Sequence, residues 1–307
     1  MKILVTGGAG FIGSHIVDLL IEKGHKVIVL DNLSTGKKEN LNPKASFYEM
    51  DIGDNNLRLV FEKEKPEIIC HHAAQIDVRI STSNPIFDAQ QNILGSLNVL
   101  ENAKRFNVKK IIFASTGGAI YGEQSYFPAD EEHPQNPVSP YGIAKLAVEK
   151  YLYYYYNEYG IKYTALRYAN VYGPRQNDKG EAGVVAIFTS KMLKNEDPVI
   201  YGDGEQTRDF VYVGDVAKYN LLAVEKDVTG VFNIGSTIET SVNTVFNVIK
   251  QHANPNAKEI HGNQKPGEQR RSVITYDKAL KTFAYKPSID FNVGIHKTVD
   301  WFKEHCR

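Results

Sequence analysis

An apolar pentapeptide, KILVT at residues 2–6, runs directly into Gly7, Gly8, Gly10 and Gly13 and then into an amphipathic stretch at 11–23. Gly8, Gly10 and Gly13 fit G-x-G-x-x-G, and Gly7, Gly10 and Gly13 also fit G-x-x-G-x-x-G. Missing side chains let a backbone turn sharply and approach a pyrophosphate held at a helix N-terminus. Strand before and helix after make the motif far more specific than its glycines alone. Asp31 ends the second apolar run, KVIVLD, where an acid can accept from a ribose 2′-hydroxyl and repel a 2′-phosphate. NAD is the expected cofactor, with Lys37 and Lys38 the only local feature favouring NADP.

The same alternation continues down the chain. Strands are predicted at SFYEM (46–50), EIICHH (67–72), KKIIFAS (109–115) and KYTALRY (162–168), with helices at 54–64, 85–106 and 140–159. Alternating strand and helix predict an α/β fold, a Rossmann-type doubly wound parallel sheet covered on both faces. After Asn170 turns such as YGPRQ, YGDGEQ and KPGEQRR separate shorter elements, with helices near 184–194, 214–225, 242–253 and 290–304. The reading is a NAD-binding domain over 1–170 and a smaller α/β domain over 171–307. That boundary is soft, because VFNI at 231–234 is a strand able to return to the first sheet.

Thirty-six basic residues balance 36 acidic ones, so no overall field favours nucleic acid or an anionic membrane. Cys70 and Cys306 are too few for a disulfide framework or a zinc ribbon, and no metal site is expected. The first apolar run is too short for a signal peptide, and nothing approaches the ~18 apolar residues of a membrane span. A cytoplasmic protein is the expectation.

Asp51 ends the third strand, placed to meet an adenine or to cap the helix expected from 54. HHAAQ ends the fourth strand on the small residues Ala73 and Ala74 before Gln75, as expected where a cofactor passes close to backbone. His71 and His72, adjacent on a strand, face opposite ways and read as structural. Gly95 inside the 85–106 helix lowers its propensity and implies close packing, and Asn92 nearby is a candidate cofactor contact.

SPYGIAKLAVEKY opens the 140–159 helix with Pro140 in its first turn. Tyr141 and Lys145 lie four apart on one helical face, the only Tyr-x-x-x-Lys pair in the chain. A phenol is a poor base at neutral pH, and a lysine ammonium and an oxidised nicotinamide both favour its phenolate. Tyr141 can then take a proton from a sugar hydroxyl as hydride leaves the same carbon. Lys145 would also hold the nicotinamide ribose, and Thr116 or Ser115, at the end of FAST, would hydrogen-bond the reacting oxygen.

The glycine motif, Asp31, Ser115-Thr116, Tyr141 and Lys145 together resemble an extended short-chain dehydrogenase/reductase. LRYANVYGPRQ and GDGEQTRDFVYVGDVA narrow the resemblance to the nucleotide-sugar epimerase/dehydratase branch, most closely the UDP-glucose 4-epimerase family, over essentially the whole chain. The resemblance implies a bound NAD, a UDP-hexose substrate epimerised at C4 and a homodimer. It extends the cofactor set to Phe11, Ile12, Asn32, Ser34, Thr35, Gly36, Ile52, Ser115 and Tyr168. For substrate it implies Asn170 and the backbone of Val184 and Val185 near the diphosphate, Tyr201 stacked on uracil, and Arg208 on phosphate.

KPGEQRR departs from the family's Arg-x-Gly-Asp pattern, with Lys265 and Glu268 in place of arginine and aspartate. Lysine is not equivalent to arginine at a bidentate site, so Arg270 becomes the candidate second phosphate contact. Ser272 occupies the position at which family members gate the C2 substituent, and its small size implies room for an N-acetyl group. Dehydratases of the branch carry an Asp-Glu pair after the threonine, whereas Gly117 and Gly118 follow Thr116 here. Oxidation at C4 is then available and elimination lacks its acid. The run Tyr153–Tyr156 cannot be buried by one core, since successive helical residues point ~100° apart, and the family's dimer pairs this helix with the 85–106 helix. Other readings stay open: an epimerase of UDP-glucuronate, a 4,6-dehydratase, or an NAD-binding regulator without activity.

Overall fold

The computed structural model describes residues 1–178, 183–264 and 269–305. Its strands are β1 (Lys2–Thr6), β2 (Lys26–Asp31), β3 (Ser46–Glu49), β4 (Ile68–His71), β5 (Lys110–Thr116), β6 (Lys162–Tyr168), β7 (Asn170–Tyr172), β8 (Val199–Tyr201), β9 (Thr207–Tyr212), β10 (Gly230–Ile234), β11 (Glu239–Ser241), β12 (Ile260–Gly262) and β13 (Arg271–Ser272). The helices are α1 (Phe11–Glu22), α2 (Leu57–Glu64), α3 (Val78–Ser83), α4 (Pro85–Ala89), α5 (Gly95–Arg105), α6 (Pro140–Tyr159), α7 (Val184–Leu193), α8 (Val213–Glu225), α9 (Val242–Ala253), α10 (Asp277–Phe283) and α11 (Phe291–His305).

Seven strands form one parallel sheet in the order β10-β6-β5-β4-β1-β2-β3. Because side chains alternate along a strand, each strand feeds two cores. Ile3, Val5, Val27, Val29 and Ile112 meet Ile16 and Leu20 of α1 and Val216 and Val224 of α8. Leu4, Ile28, Leu30, Ile111 and Phe113 meet Phe61 of α2, Val99 of α5 and Val148 and Leu152 of α6. The sheet is therefore wound on both faces, as its buried apolar runs require.

The chain crosses from β1 to β2 on one side and to β4 on the other, which opens a crevice at the carboxyl ends of β1 and β4, where nucleotides bind in such sheets. After residue 170 the chain serves both units. β7, β11 and β13 gather on β9, and β8 pairs with β12. A separate core of Phe188, Ile200, Phe210, Val245, Phe246 and Val299 holds α7, α9 and α11 to this smaller sheet. β10 leaves it to pair with β6, and α8 packs on α1, so both belong to the large sheet.

Two predicted helices differ in detail. The 54–64 helix starts at Leu57, because Asp54 accepts from the Asn56 N–H (2.7 Å) and forms a turn ahead of it. The 85–106 helix is interrupted: a π-helical turn at 90–94 joins α4 to α5. Gly95 follows that turn packed on Ile52; a Cβ there would lie 2.8 Å from Ile52 Cδ1, which accounts for the glycine. The α6 boundaries follow their local chemistry. Ser139 caps the Gly142 N–H (3.1 Å), Pro140 fills the first turn, and Gly160 takes a left-handed conformation at the end.

Candidate active site

The glycine turn lies in the β1/β4 crevice, packed as closely as its composition implies. A Cβ on Gly7, whose φ is +69°, would fall 2.6 Å from the Ala73 nitrogen, and one on Gly13 would fall 2.1 Å from the Gly7 oxygen. No described side chain caps α1, whose first turn therefore presents the amides of Phe11, Ile12 and Gly13 beyond Gly10. This cradle fits a pyrophosphate on geometric grounds.

Asp31 closes the adjacent edge, buried at the end of β2. Its Oδ2 accepts from the Ala9 N–H (3.0 Å) and Oδ1 from the Leu33 N–H (2.8 Å). Burial raises the carboxyl above its ordinary value, and the two backbone donors oppose that rise. Gly36 lies against this carboxylate, with room for no Cβ (2.7 Å to Oδ1). Asn32 accepts from the Ser34 amide and hydroxyl and donates to Asp51 Oδ2 (2.7 Å), so Asn32, Ser34 and Asp51 share one rim. Asp51 does not cap a helix. Its Oδ1 accepts from Gly53 instead (2.7 Å), since α2 begins six residues later, and Ile52 is buried beneath it.

At the end of β4, Ala73, Ala74 and Gln75 follow the strand as a bare segment beside the glycine turn. Asn92 grips it in both directions, accepting from the Gln75 N–H (2.8 Å) and donating to the Gln75 carbonyl (2.9 Å). Its amide thus shapes the wall of the crevice rather than projecting into it. His71 bridges Thr6 (2.7 Å) and Ser96 (2.9 Å), while His72 meets the Tyr168 hydroxyl (3.1 Å) on the opposite face. Burial holds both imidazoles neutral, lowering each to about 3. Tyr168 also accepts from Asn220 (2.8 Å) and lies in the core between the sheet and α8, so its hydroxyl does not reach the crevice.

Lys145 is buried on α6, donates to the Ala114 carbonyl (2.8 Å), and lies 4.8 Å from the Phe113 ring centre and 5.8 Å from that of Tyr141. Burial lowers its ammonium to about 8, against the attraction of Asp88 and Glu149. Burial and then Asp88 raise the Tyr141 phenol well above its ordinary value. The chain alone therefore keeps Tyr141 protonated, and further positive charge in the crevice is what would make it a base. Thr116 ends β5 with its Oγ1 accepting from Ala119 N–H (3.2 Å), which leaves its own O–H to donate.

Ser115 is a correction. Its hydroxyl donates to Glu149 Oε1 (2.6 Å), because neighbours on a strand face opposite sides and α6 covers this one. Glu149 in turn holds Arg167 through Nε (3.0 Å) and Nη2 (2.7 Å), and Arg167 donates to Tyr121 (2.9 Å), which donates to Asn233 (2.6 Å). This buried network fixes α6 against β5 and β6. The sequence carries a signal for it, since Tyr141, Lys145 and Glu149 recur every four residues on one helical face.

Gly117 and Gly118 differ in kind. A Cβ on Gly117 would lie 2.7 Å from Ile274 Cδ1, whereas one on Gly118 would find only Thr116 Oγ1, at 4.0 Å.

In the smaller unit Asn170 donates to the Asp209 carbonyl (3.3 Å), and Val184 and Val185 open α7, which no described side chain caps. Arg208 and Ser272 are register partners across β9 and β13, and Arg208 donates to the Thr207 carbonyl (2.8 Å). Tyr201, Gln206, Gln264 and Arg270 line one small cavity. Arg270 makes a bidentate pair with Asp203 (2.7 and 2.9 Å) that sequence reading did not anticipate. Lys265 and Glu268 lie outside the described residues, as does Cys306. None of the described helices is long and apolar enough to cross a membrane.

The model of the NAD dependent epimerase/dehydratase family matches residues 3–235. A Methanocaldococcus jannaschii protein with a provisional UDP-glucose 4-epimerase assignment is 52% identical over 305 residues, covering 99% of both chains. The crystal structure of a Thermotoga maritima UDP-glucose 4-epimerase with UDP-glucose superimposes with a TM-score of 0.98 at 50% identity, covering 100% of both chains. That of a Thermus thermophilus UDP-glucose 4-epimerase with NAD gives 0.95 at 42% identity, covering 99% of this chain and 100% of that one.

Proposed function

The chain belongs to the NAD-dependent epimerase/dehydratase family, and from that footing we propose that it interconverts UDP-glucose and UDP-galactose by inverting C4 through a transient 4-keto sugar. The observation that carries this reading is Lys145, one turn from Tyr141 on α6, bonded to the Ala114 carbonyl two residues before Thr116, after which come two positions without any acid. Such a site has a base and a hydrogen-bond donor for O4 and nothing to expel a neighbouring hydroxyl. NAD, when bound, supplies the two-electron acceptor for C4 and gives the electrons back.

The residues Gly7–Gly13, Asp31–Gly36, Asp51, Ile52 and Ala73–Gln75 hold the dinucleotide in this reading. Lys145 stays an ammonium, holds the nicotinamide ribose and stabilises the Tyr141 phenolate. Tyr141 takes the O4 proton and returns it, and Thr116 donates to O4 throughout. Asn170, the α7 amides at Val184 and Val185, Tyr201, Arg208 and Arg270 hold the UDP moiety. Arg270 exchanges Asp203 for phosphate; an exposed ion pair resists such exchange little. Residues 1–170 carry the cofactor in this division of labour and 171–307 the sugar nucleotide, with β10 returned to the first. Ser272, small and facing Arg208's strand, leaves room for an N-acetyl group, so UDP-N-acetylglucosamine is a second substrate.

We also assign the exposed face of α6 to a second copy of the chain. Tyr155 is buried and donates to Glu101 (2.5 Å), while Tyr153, Tyr154 and Tyr156 are exposed around it. A monomer by light scattering at assay concentration would exclude this dimer. A cytoplasmic location goes with the reading.

The deciding experiment incubates the protein with UDP-galactose and no added cofactor. UDP-glucose is the expected product. A 4-keto-6-deoxy product would make the protein a dehydratase, conversion of UDP-glucuronate alone would change the substrate, and no turnover with added NAD would leave only the regulator.

A further inference from the structure

Asp88 is a carboxylate for which the reaction has so far given no use. It lies on α4, which packs against α6, and is 1% exposed. Its Oδ2 accepts from Gln75 Nε2 (3.2 Å) and Asn92 Nδ2 (3.1 Å), the two residues that shape the crevice wall. Its Oδ1 is buried with no hydrogen-bond partner among the described residues. A carboxylate so placed is costly unless a cation compensates it.

The titratable groups around it are few. Tyr141 and Lys145 feel its charge from α6, and Lys145 in turn has Glu149 on its own helix and His71 and His72 of β4 near it. On the α3 side Asp77 and Arg79 pair with one another at the surface (3.0 Å). Glu149 is bound to Arg167 and Ser115, and the two histidines are neutral. Lys145 is thus the buried cation available to Asp88, and Lys145 itself makes its hydrogen bond to a neutral carbonyl.

We propose that Asp88 is the buried counter-charge that keeps Lys145 an ammonium while the crevice is loaded, a positioning residue that acts through Lys145 and never touches substrate. The inference rests on the epimerase reading for its consequence, though not for its test. A cationic cofactor held in the crevice would add a second positive charge and favour loss of the Lys145 proton. Asp88 opposes that loss, so the pyridinium is left to the Tyr141 phenolate and the ammonium to the Asp88 carboxylate. Asp88 is also the largest opposing influence on the fall of Lys145 with burial.

The test labels lysines with carbon-13 at Cε and follows the Lys145 titration by NMR, assigned by its loss in Lys145→Arg, with and without NAD. Asp88→Asn should lower the Lys145 midpoint by about one unit, and Asp88→Glu should restore it. The alkaline limb of turnover should move down with it. Asp88→Ser is the second probe should the asparagine variant not fold. An unchanged Lys145 midpoint in either folded variant overturns the proposal, even where activity falls, because a merely structural Asp88 would do just that. Conversion of UDP-galactose by the unaltered protein tests the epimerase reading separately.

Discussion

Replacing Glu149 by leucine should be the most destabilising conservative-volume change near the site, and replacing its partner as well should largely undo the damage. Arg167 is 1% exposed and Glu149 3%. The arginine makes two charge-assisted bonds to the carboxylate and one to Tyr121, all 3.0 Å or shorter. Burial opposes the guanidinium charge, and Glu149 and Tyr121 together more than offset it, so the group stays charged. Glu149→Leu leaves that charge without a counter-ion, at a cost of about 3–5 kcal/mol. It also leaves the Ser115 hydroxyl without its acceptor, about 1 kcal/mol more. Against a typical total of about 5–15 kcal/mol, that is a large fraction. Glu149→Leu with Arg167→Met removes both charges and should return within about 1–2 kcal/mol of the parent, since apolar replacement of a buried ion pair is often neutral. Urea unfolding at pH 7 measures both. A single variant losing less than about 1 kcal/mol, or a double variant as unstable as the single, would refute the account of this network as a buried, mutually dependent pair.

Tyr141→Phe should lower kcat by about 10²–10⁴ while NAD stays bound, a split seen by pairing steady-state kinetics with a calorimetric NAD titration. Gly13→Ala places a Cβ 2.1 Å from the Gly7 oxygen and should weaken NAD binding by about 10- to 100-fold in calorimetry, with the sheet intact by circular dichroism. Stability should fall on acidification. Between about pH 6 and 4 the unfolded chain carries protons on His71 and His72 that the native state, with both near 3, does not. Asp209, raised to about 6 by burial, binds one more proton in the native state and offsets one of the two. Among these three groups the unfolded state holds one proton more, which contributes a loss of about 1.4 kcal/mol per pH unit, and His72→Gln should flatten it. Urea midpoints at several pH values check both slopes.

The large sheet was legible because parallel strands buried on both faces must be apolar runs, and each of KILVT, KVIVLD and KYTALRY became a strand within a residue of its predicted bounds. The glycines were legible for a related reason, close approach being the one thing a missing Cβ provides; Gly13 and Gly95 both prove to lie under 3 Å from where they would collide. Hydrogen-bond destinations were not legible. Ser115 and Thr116 are chemically alike and adjacent, and only the position of Glu149 on α6 decides which hydroxyl is committed inward. Asn92 reads from sequence as a cofactor contact, whereas in the structure it lies in the π-helical turn and holds Gln75, and such a turn has no periodic signature. Arg270 was expected to be free for phosphate, and Asp203, 67 residues away, holds it.

The contrast between Gly117 and Gly118 changes how their absence of side chains bears on the reaction. Gly117 is glycine for packing: Ile274 fills the space that a Cβ would need, and the Gly117 N–H is tied to the Tyr168 carbonyl at 2.7 Å. A side chain there would need the Ile274 terminus to move aside, so packing as well as chemistry bears on position 117. Gly118 has no such constraint, with open space around its Cβ and an ordinary backbone conformation. A side chain could start there, and no acid is present. The lack of an acid to expel a neighbouring hydroxyl is therefore clearest at residue 118. Gly118→Glu, whose Cβ meets no clash, is the substitution that would place an acid two residues after Thr116.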